Sequence, residues 1–124
     1  MNVFEHDRLD VYRIALEFVE VAEEVADRLP RGRAYLADPL RSVGSLIPLR
    51  IAEGAGAACT NDKARCFRLA CRSATECAAT LDVCDATNLA DSELLFLARN
   101  LLQRIVSNLT AMMVHLHESE LRAA

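Results

Sequence analysis

Apolar residues recur at intervals of three and four along most of the chain, which is the spacing of one face of an α-helix. The pattern predicts four helices, at about residues 7–29, 38–57, 61–87 and 92–120. No segment shows the alternating pattern that is typical of a half-buried strand. Helices joined by short connections favour an antiparallel up-down bundle, so the sequence predicts a single all-α four-helix-bundle domain over residues 1–124.

The first predicted helix carries two apolar stripes side by side, and their combined arc is wider than packing within one small bundle requires. One stripe consists of Leu9, Tyr12, Leu16, Val19 and Ala26, and the other of Val11, Ile14, Phe18, Val21 and Val25. We expect one stripe to face the bundle core and the other to face a partner subunit. The second stripe is the candidate oligomer interface.

The segment SLIPLRIAEGAG, residues 45–56, departs from the pattern of a regular helix. Pro48 has no amide hydrogen and its ring clashes with the preceding turn, so we expect helix two to be kinked there. Gly54 and Gly56 accept left-handed dihedrals and are typical of a helix C-terminus. We interpret the segment as one that shapes and ends helix two.

Two carboxylates, Glu53 and Glu76, lie among small or apolar neighbours in the sequence. A buried carboxylate is costly unless it is paired, so we expect either structural ion pairs or half-exposed carboxylates. Arg72 lies four residues before Glu76, and Arg41 or Arg50 is a possible partner for Glu53. The alternative, which we favour less, is a pair of active-site carboxylates.

The charge is unevenly distributed along the chain. The net charge is −4, yet residues 30–76 contain eight basic and four acidic side chains. Thirteen of the fourteen basic residues are arginines, whose side chains suit bidentate contacts to phosphate. Arg65, Arg68 and Arg72 share one face of the third predicted helix, which is either a solvated surface or a phosphate contact. The sequence therefore predicts at most a local basic patch.

The sequence offers little for catalysis or metal binding. The five cysteines form no C-x-x-C pair and are interpreted as buried thiols, with Cys71 the one candidate for a reactive thiol. His115 and His117 are two residues apart, so they point to different sides of a helix, and no Glu-x-x-His pair is present. We predict no enzyme activity, no metal and no cofactor. The absence of a long apolar run predicts a cytoplasmic protein without a membrane segment.

Three segments resemble a known bacterial family of four-helix bundles: FEHDRLDVYRIALEF, LRSVGSLIPLRIAEGAG and RCFRLACRSATECAATLDV. That family includes the proteins encoded in intervening sequences of 23S rRNA genes and the accessory variability determinants of diversity-generating retroelements. The central signature is Ile47-Pro48 followed by Ile51-Ala52-Glu53-Gly54. The resemblance implies a noncatalytic homo-oligomer, often a pentamer, which in the retroelement branch binds reverse transcriptase and RNA or DNA through basic surface.

The resemblance also identifies departures from the family pattern. Arg41 and Arg65 match basic family positions, but Arg50 replaces a common Asn, and Arg72 stands at a position that is often Gly. The loop after Gly56 lacks the usual cations. We therefore hold two hypotheses. The first is an oligomeric adaptor that binds nucleic acid, or a nucleic-acid-bound protein, through Arg41, Arg50, Arg65, Arg68 and Arg72. The second is a protein-interaction module without nucleic-acid binding.

Overall fold

The computed structural model describes residues 4–123 of the chain. Within them lie one 3₁₀-helix and four α-helices, and there is no strand. The 3₁₀-helix spans Glu5–Arg8, and the α-helices span Asp10–Arg28 (α1), Ala34–Gly56 (α2), Thr60–Ala86 (α3) and Ser92–Ala123 (α4). The predicted all-helical fold is confirmed. None of these helices is both long enough and apolar enough to cross a membrane.

The first helix begins at Asp10, later than predicted, because the preceding turn is a separate 3₁₀-helix. Asp7 belongs to this 3₁₀-helix, where its carboxylate accepts a hydrogen bond from the Phe4 amide at 3.2 Å. Leu9 is extended and separates the two elements. The 3₁₀-helix packs against α2, so it adds to one end of the bundle.

The second helix begins earlier than predicted and continues through two prolines, Pro39 and Pro48. A proline cannot donate to the carbonyl four residues earlier, which for Pro48 is the carbonyl of Gly44. Two hydroxyls on the same helix donate to carbonyls one turn earlier, Ser42 to that of Asp38 and Ser45 to that of Arg41. Pro48 itself is buried, so its ring takes part in packing.

The helices close into a ring of contacts around one core. Each helix packs against the next in chain order, and α4 packs back against α1, so α1 and α3 occupy diagonal positions. The largest fully buried side chains come from all four helices: Phe18, Val25, Leu40, Ile47, Ile51, Leu81, Leu101, Ile105 and Leu109. Burial of apolar side chains of this size is the main stabilising contribution to the fold.

The stripe that was assigned to a partner subunit lies inside the bundle. Val11, Phe18, Val21 and Val25 are buried in the core, and Ile14 packs partly buried against it. The assignment to an oligomer interface was therefore wrong for these residues. The other stripe is the more exposed one, and its Leu16 is 41% exposed to solvent.

Helices α2 and α3 pack tightly against each other at Gly54. A Cβ atom built on Gly54 would lie 2.7 Å from Cε1 of Phe67 and 2.9 Å from Cβ of Cys66. Both distances are well below ordinary contact, so only glycine fits at this crossing. Gly54 therefore permits the approach of α3, in addition to lying near the end of α2.

The cysteines follow the predicted burial except at Cys59, which is exposed. Cys66, Cys77 and Cys84 are buried, and desolvation raises the pKa of each thiol, for Cys77 to about 12. Burial also raises the pKa of Cys71. A reactive thiol needs a lowered pKa, so the interpretation of Cys71 as a reactive candidate was wrong.

Candidate nucleic-acid interface

A row of three arginines runs along the outer face of α3. Arg65, Arg68 and Arg72 are all exposed and are spaced i, i+3 and i+7, so they share one side of the helix over about 10.5 Å. Within residues 4–123 none of the three takes part in an ion pair. We call these residues the arginine row. Their guanidinium groups remain available for bidentate contacts to phosphate or carboxylate.

Arg50 lies beside the arginine row, across the border between α2 and α3. It lines a shallow depression of about 220 Å³ together with Arg72, Glu76 and Leu69. Its Nη1 atom donates to Oε1 of Glu53 at 3.1 Å, one turn further along α2. The charge of Arg50 is therefore partly neutralised, and the row on α3 provides most of the unpaired positive charge on this side.

Arg41 is not part of this patch. It lies nine residues before Arg50, which places it on the opposite side of α2. Its guanidinium donates to Asp27 at 2.6 Å and to Glu23 at 3.0 Å, both on α1. These hydrogen bonds raise the pKa of Arg41. Arg41 therefore links α1 to α2, and the structure does not bring it together with the other predicted arginines.

The two carboxylates singled out from the sequence are both exposed. Glu53 pairs with Arg50, as one of the predicted alternatives had it. The expected pair of Arg72 with Glu76 is not among the ion pairs that residues 4–123 form, although both side chains line the same depression. The described part of the chain has no buried charged residue. These carboxylates therefore form no buried acid pair.

Sequence reasoning missed the role of Lys63. Its Nζ atom donates to the carbonyls of Ala55 at 2.8 Å and Gly54 at 3.3 Å, both in the last turn of α2, where the Gly54 carbonyl also accepts a hydrogen bond from the Ala57 amide at 3.2 Å. The same side chain borders a groove of about 480 Å³ with an apolar floor of Leu9, Phe67, Met112 and Leu116. One feature of the sequence indicated a special role for this residue: Lys63, one turn into α3, is the single lysine in a chain that otherwise uses arginine.

A comparison with models of protein families identifies the family of the chain. The model of the 23S rRNA-intervening sequence protein family matches residues 7–111. The chain belongs to this family. No curated protein matches the chain significantly.

The matched region contains the arginine row, Arg50 and the crossing at Gly54. The last turns of α4 lie beyond it. The family assignment suggests an RNA-related or structural protein.

Proposed function

We propose that this chain is a noncatalytic, homo-oligomeric adaptor, pentameric as its family resemblance implies, which presents arginines to RNA or DNA or to a nucleic-acid-bound protein such as a reverse transcriptase. The observation that carries the proposal is the arginine row of Arg65, Arg68 and Arg72, exposed and without ion pairs among the described residues. The three positive charges span about 10.5 Å, which is about three steps between successive phosphates of one strand at about 3.4 Å each along the axis.

The architecture that we propose for the adaptor is an antiparallel up-down bundle in the cytoplasm. Its support is the ring of helix contacts and the short connections between successive helices. We also propose that α2 bends near Pro48. The hydroxyl-to-carbonyl bond of Ser45, one turn earlier, supports a local bend because such bonds draw a carbonyl away from the helix axis.

The salt dependence of binding tests the nucleic-acid contact. Binding of an RNA hairpin and of a DNA duplex is measured by fluorescence anisotropy over a range of salt concentrations. We expect the logarithm of affinity to fall with the logarithm of salt concentration, and Arg68→Ala to reduce the slope by about 0.7–0.9. Arg104→Ala is the matched control, because Arg104 is exposed on α4 and forms no ion pair within residues 4–123.

Equal effects of the two substitutions would show that the arginine row is not the contact. Absent or salt-independent binding would contradict the nucleic-acid role altogether and favour the second candidate, a protein-interaction module. That candidate is supported by the net charge of −4 and by exposed apolar side chains such as Phe96 on α4, which retains 72% of its exposure.

A further inference from the structure

A row of glutamates on α1 repeats the spacing of the arginine row. Glu17, Glu20 and Glu24 are exposed and are spaced i, i+3 and i+7. Glu17 and Glu20 take part in no ion pair within residues 4–123, and Glu24 accepts a hydrogen bond from Arg28 at 2.7 Å. We call Glu17, Glu20 and Glu24 the glutamate row.

The match between the two rows extends to a fourth position with the signs reversed. One turn after the glutamate row comes the basic Arg28, and one turn after the arginine row comes the acidic Glu76. A single offset of 48 residues along the sequence therefore relates four oppositely charged pairs. The pairs are Glu17 with Arg65, Glu20 with Arg68, Glu24 with Arg72, and Arg28 with Glu76. Only a parallel alignment of the two helices brings all four pairs together.

The two rows cannot meet within one chain. Helices α1 and α3 occupy diagonal positions in the bundle, and both rows are exposed, so they face away from each other on opposite sides. They can meet only between two copies. Apolar side chains adjoin both rows: Leu16 lies one turn before Glu20 and is 41% exposed, and the half-buried Leu69 lies one turn after Arg65.

We propose that the arginine row is a docking surface for a second copy of this chain, whose glutamate row lies parallel to it. Single exposed ion pairs contribute little, but four matched pairs with apolar contact beside them fix both register and orientation. Because the rows lie on opposite sides, each copy offers one row to each of two neighbours. Such a contact builds a closed ring or an open chain of copies.

The docking also regulates the proposed function, and this part rests on that function. A copy whose arginine row is covered by a neighbour has no free row for phosphates. Nucleic acid and the second copy therefore compete for the same guanidinium groups. The assembled adaptor therefore presents an arginine row only at an open end, and nucleic acid that binds further rows separates the copies from one another.

A charge swap tests the docking without nucleic acid. Self-association is measured by sedimentation velocity at low and high salt for Glu20→Arg, for Arg68→Glu and for the variant that carries both substitutions. We expect each single substitution to weaken association by about tenfold and the double variant to regain it, because the pair is restored with its charges exchanged. Glu118→Arg, at an exposed position on α4, is the control with the same change in charge.

The orientation has its own test, in which Glu17→Arg is combined with Arg65→Glu or with Arg72→Glu. The parallel alignment predicts rescue by Arg65→Glu only, and rescue by Arg72→Glu would overturn it. Single variants that associate like the wild type, or a double variant as weak as either single one, would overturn the docking. Circular dichroism checks that every variant is folded.

Competition is tested by adding a short RNA to the assembled wild-type protein. A fall in the protein mass per particle supports the proposal, and RNA that adds to particles of unchanged protein mass overturns the competition. If no RNA binds, the proposed function fails, whereas the charge swap still decides whether copies dock. The two failures are thus distinguishable.

Discussion

The crossing of α2 and α3 gives a stability prediction in which two glycines, two residues apart, respond differently to the same substitution. At Gly54 an added Cβ would lie 2.7 Å from the Phe67 ring and 2.9 Å from Cβ of Cys66. The ring can rotate away, but Cβ of Cys66 is attached directly to the backbone of α3, so the helices themselves must move apart. Gly54→Ala should therefore act as an overpacking substitution.

The expected magnitude follows from two opposing contributions. Replacing glycine by alanine within a helix stabilises it by about 0.5–1 kcal/mol, and overpacking a core costs about 1–3 kcal/mol. We expect Gly54→Ala to lower the free energy of unfolding by about 1.5 kcal/mol, within the range these contributions allow. For 124 residues this corresponds to a fall in Tm of about 6 °C.

Gly56→Ala is the matched control, because a Cβ atom at Gly56 would meet nothing within 4 Å. It should leave the Tm unchanged or raise it slightly. Thermal and urea unfolding are followed by circular dichroism at one protein concentration, since association would shift the apparent stability. Phe67→Leu provides a further check because it removes the ring. The effects of Gly54→Ala and Phe67→Leu on the free energy of unfolding should be non-additive by at least about 0.5 kcal/mol. Unchanged or higher stability of Gly54→Ala would refute the reasoning.

Two further predictions concern the core. In urea unfolding, Phe18→Ala should destabilise the chain by about 3–5 kcal/mol because Phe18 is fully buried. Leu16→Ala should cost no more than about 0.5 kcal/mol because Leu16 is exposed. A Phe18→Ala variant that stays folded but no longer self-associates would restore the assignment of Phe18 to a partner interface. The pKa of Cys77 is raised from 9.0 to about 12, so the unfolded chain releases this proton first and stability should fall as pH rises from about 9 to about 12. Urea unfolding at pH 7 and pH 10.5 measures the loss of stability. Cys77→Ala should lessen that loss and Cys59→Ala should not. Equal pH dependence of the two variants would contradict this role of Cys77.

The helical fold could be predicted because apolar periodicity reports directly on which residues are buried together. The choice between the two stripes of α1 could not, because both are apolar and periodicity does not identify the face that other helices cover. In the structure Phe18 is 0% exposed and Leu16 is 41% exposed, so the stripe of Phe18 faces the core. Size does not decide it either, because the bulkiest residue of the two stripes, Tyr12, belongs to the other one.

Glu53 shows why sequence neighbours mislead on a helix. Its small neighbours suggested burial, but adjacent residues point about 100° apart, so Gly54 faces α3 while Glu53 faces solvent. The start of α2, predicted at about residue 38, lies at Ala34, and the helix continues through Pro39. Pro39 cannot donate to the carbonyl of Tyr35, so the sequence favoured a later start than the structure has.

The candidate site was partly predictable. The shared face of Arg65, Arg68 and Arg72 follows from spacing alone, and all three are exposed as that face requires. The spacing of nine residues already places Arg41 opposite Arg50 on α2. Its pairing with Glu23 and Asp27 could not be predicted, because it depends on where another helix lies.

The bonds of Lys63 to the end of α2 have a consequence for chemical labelling. Lys63 carries the only side-chain amine in the sequence, and its Nζ atom is partly buried against the carbonyls of Gly54 and Ala55. Acylation of this amine requires those bonds to open. The rate at which Lys63 is acylated therefore measures how often the junction of α2 and α3 loosens, without any engineered probe.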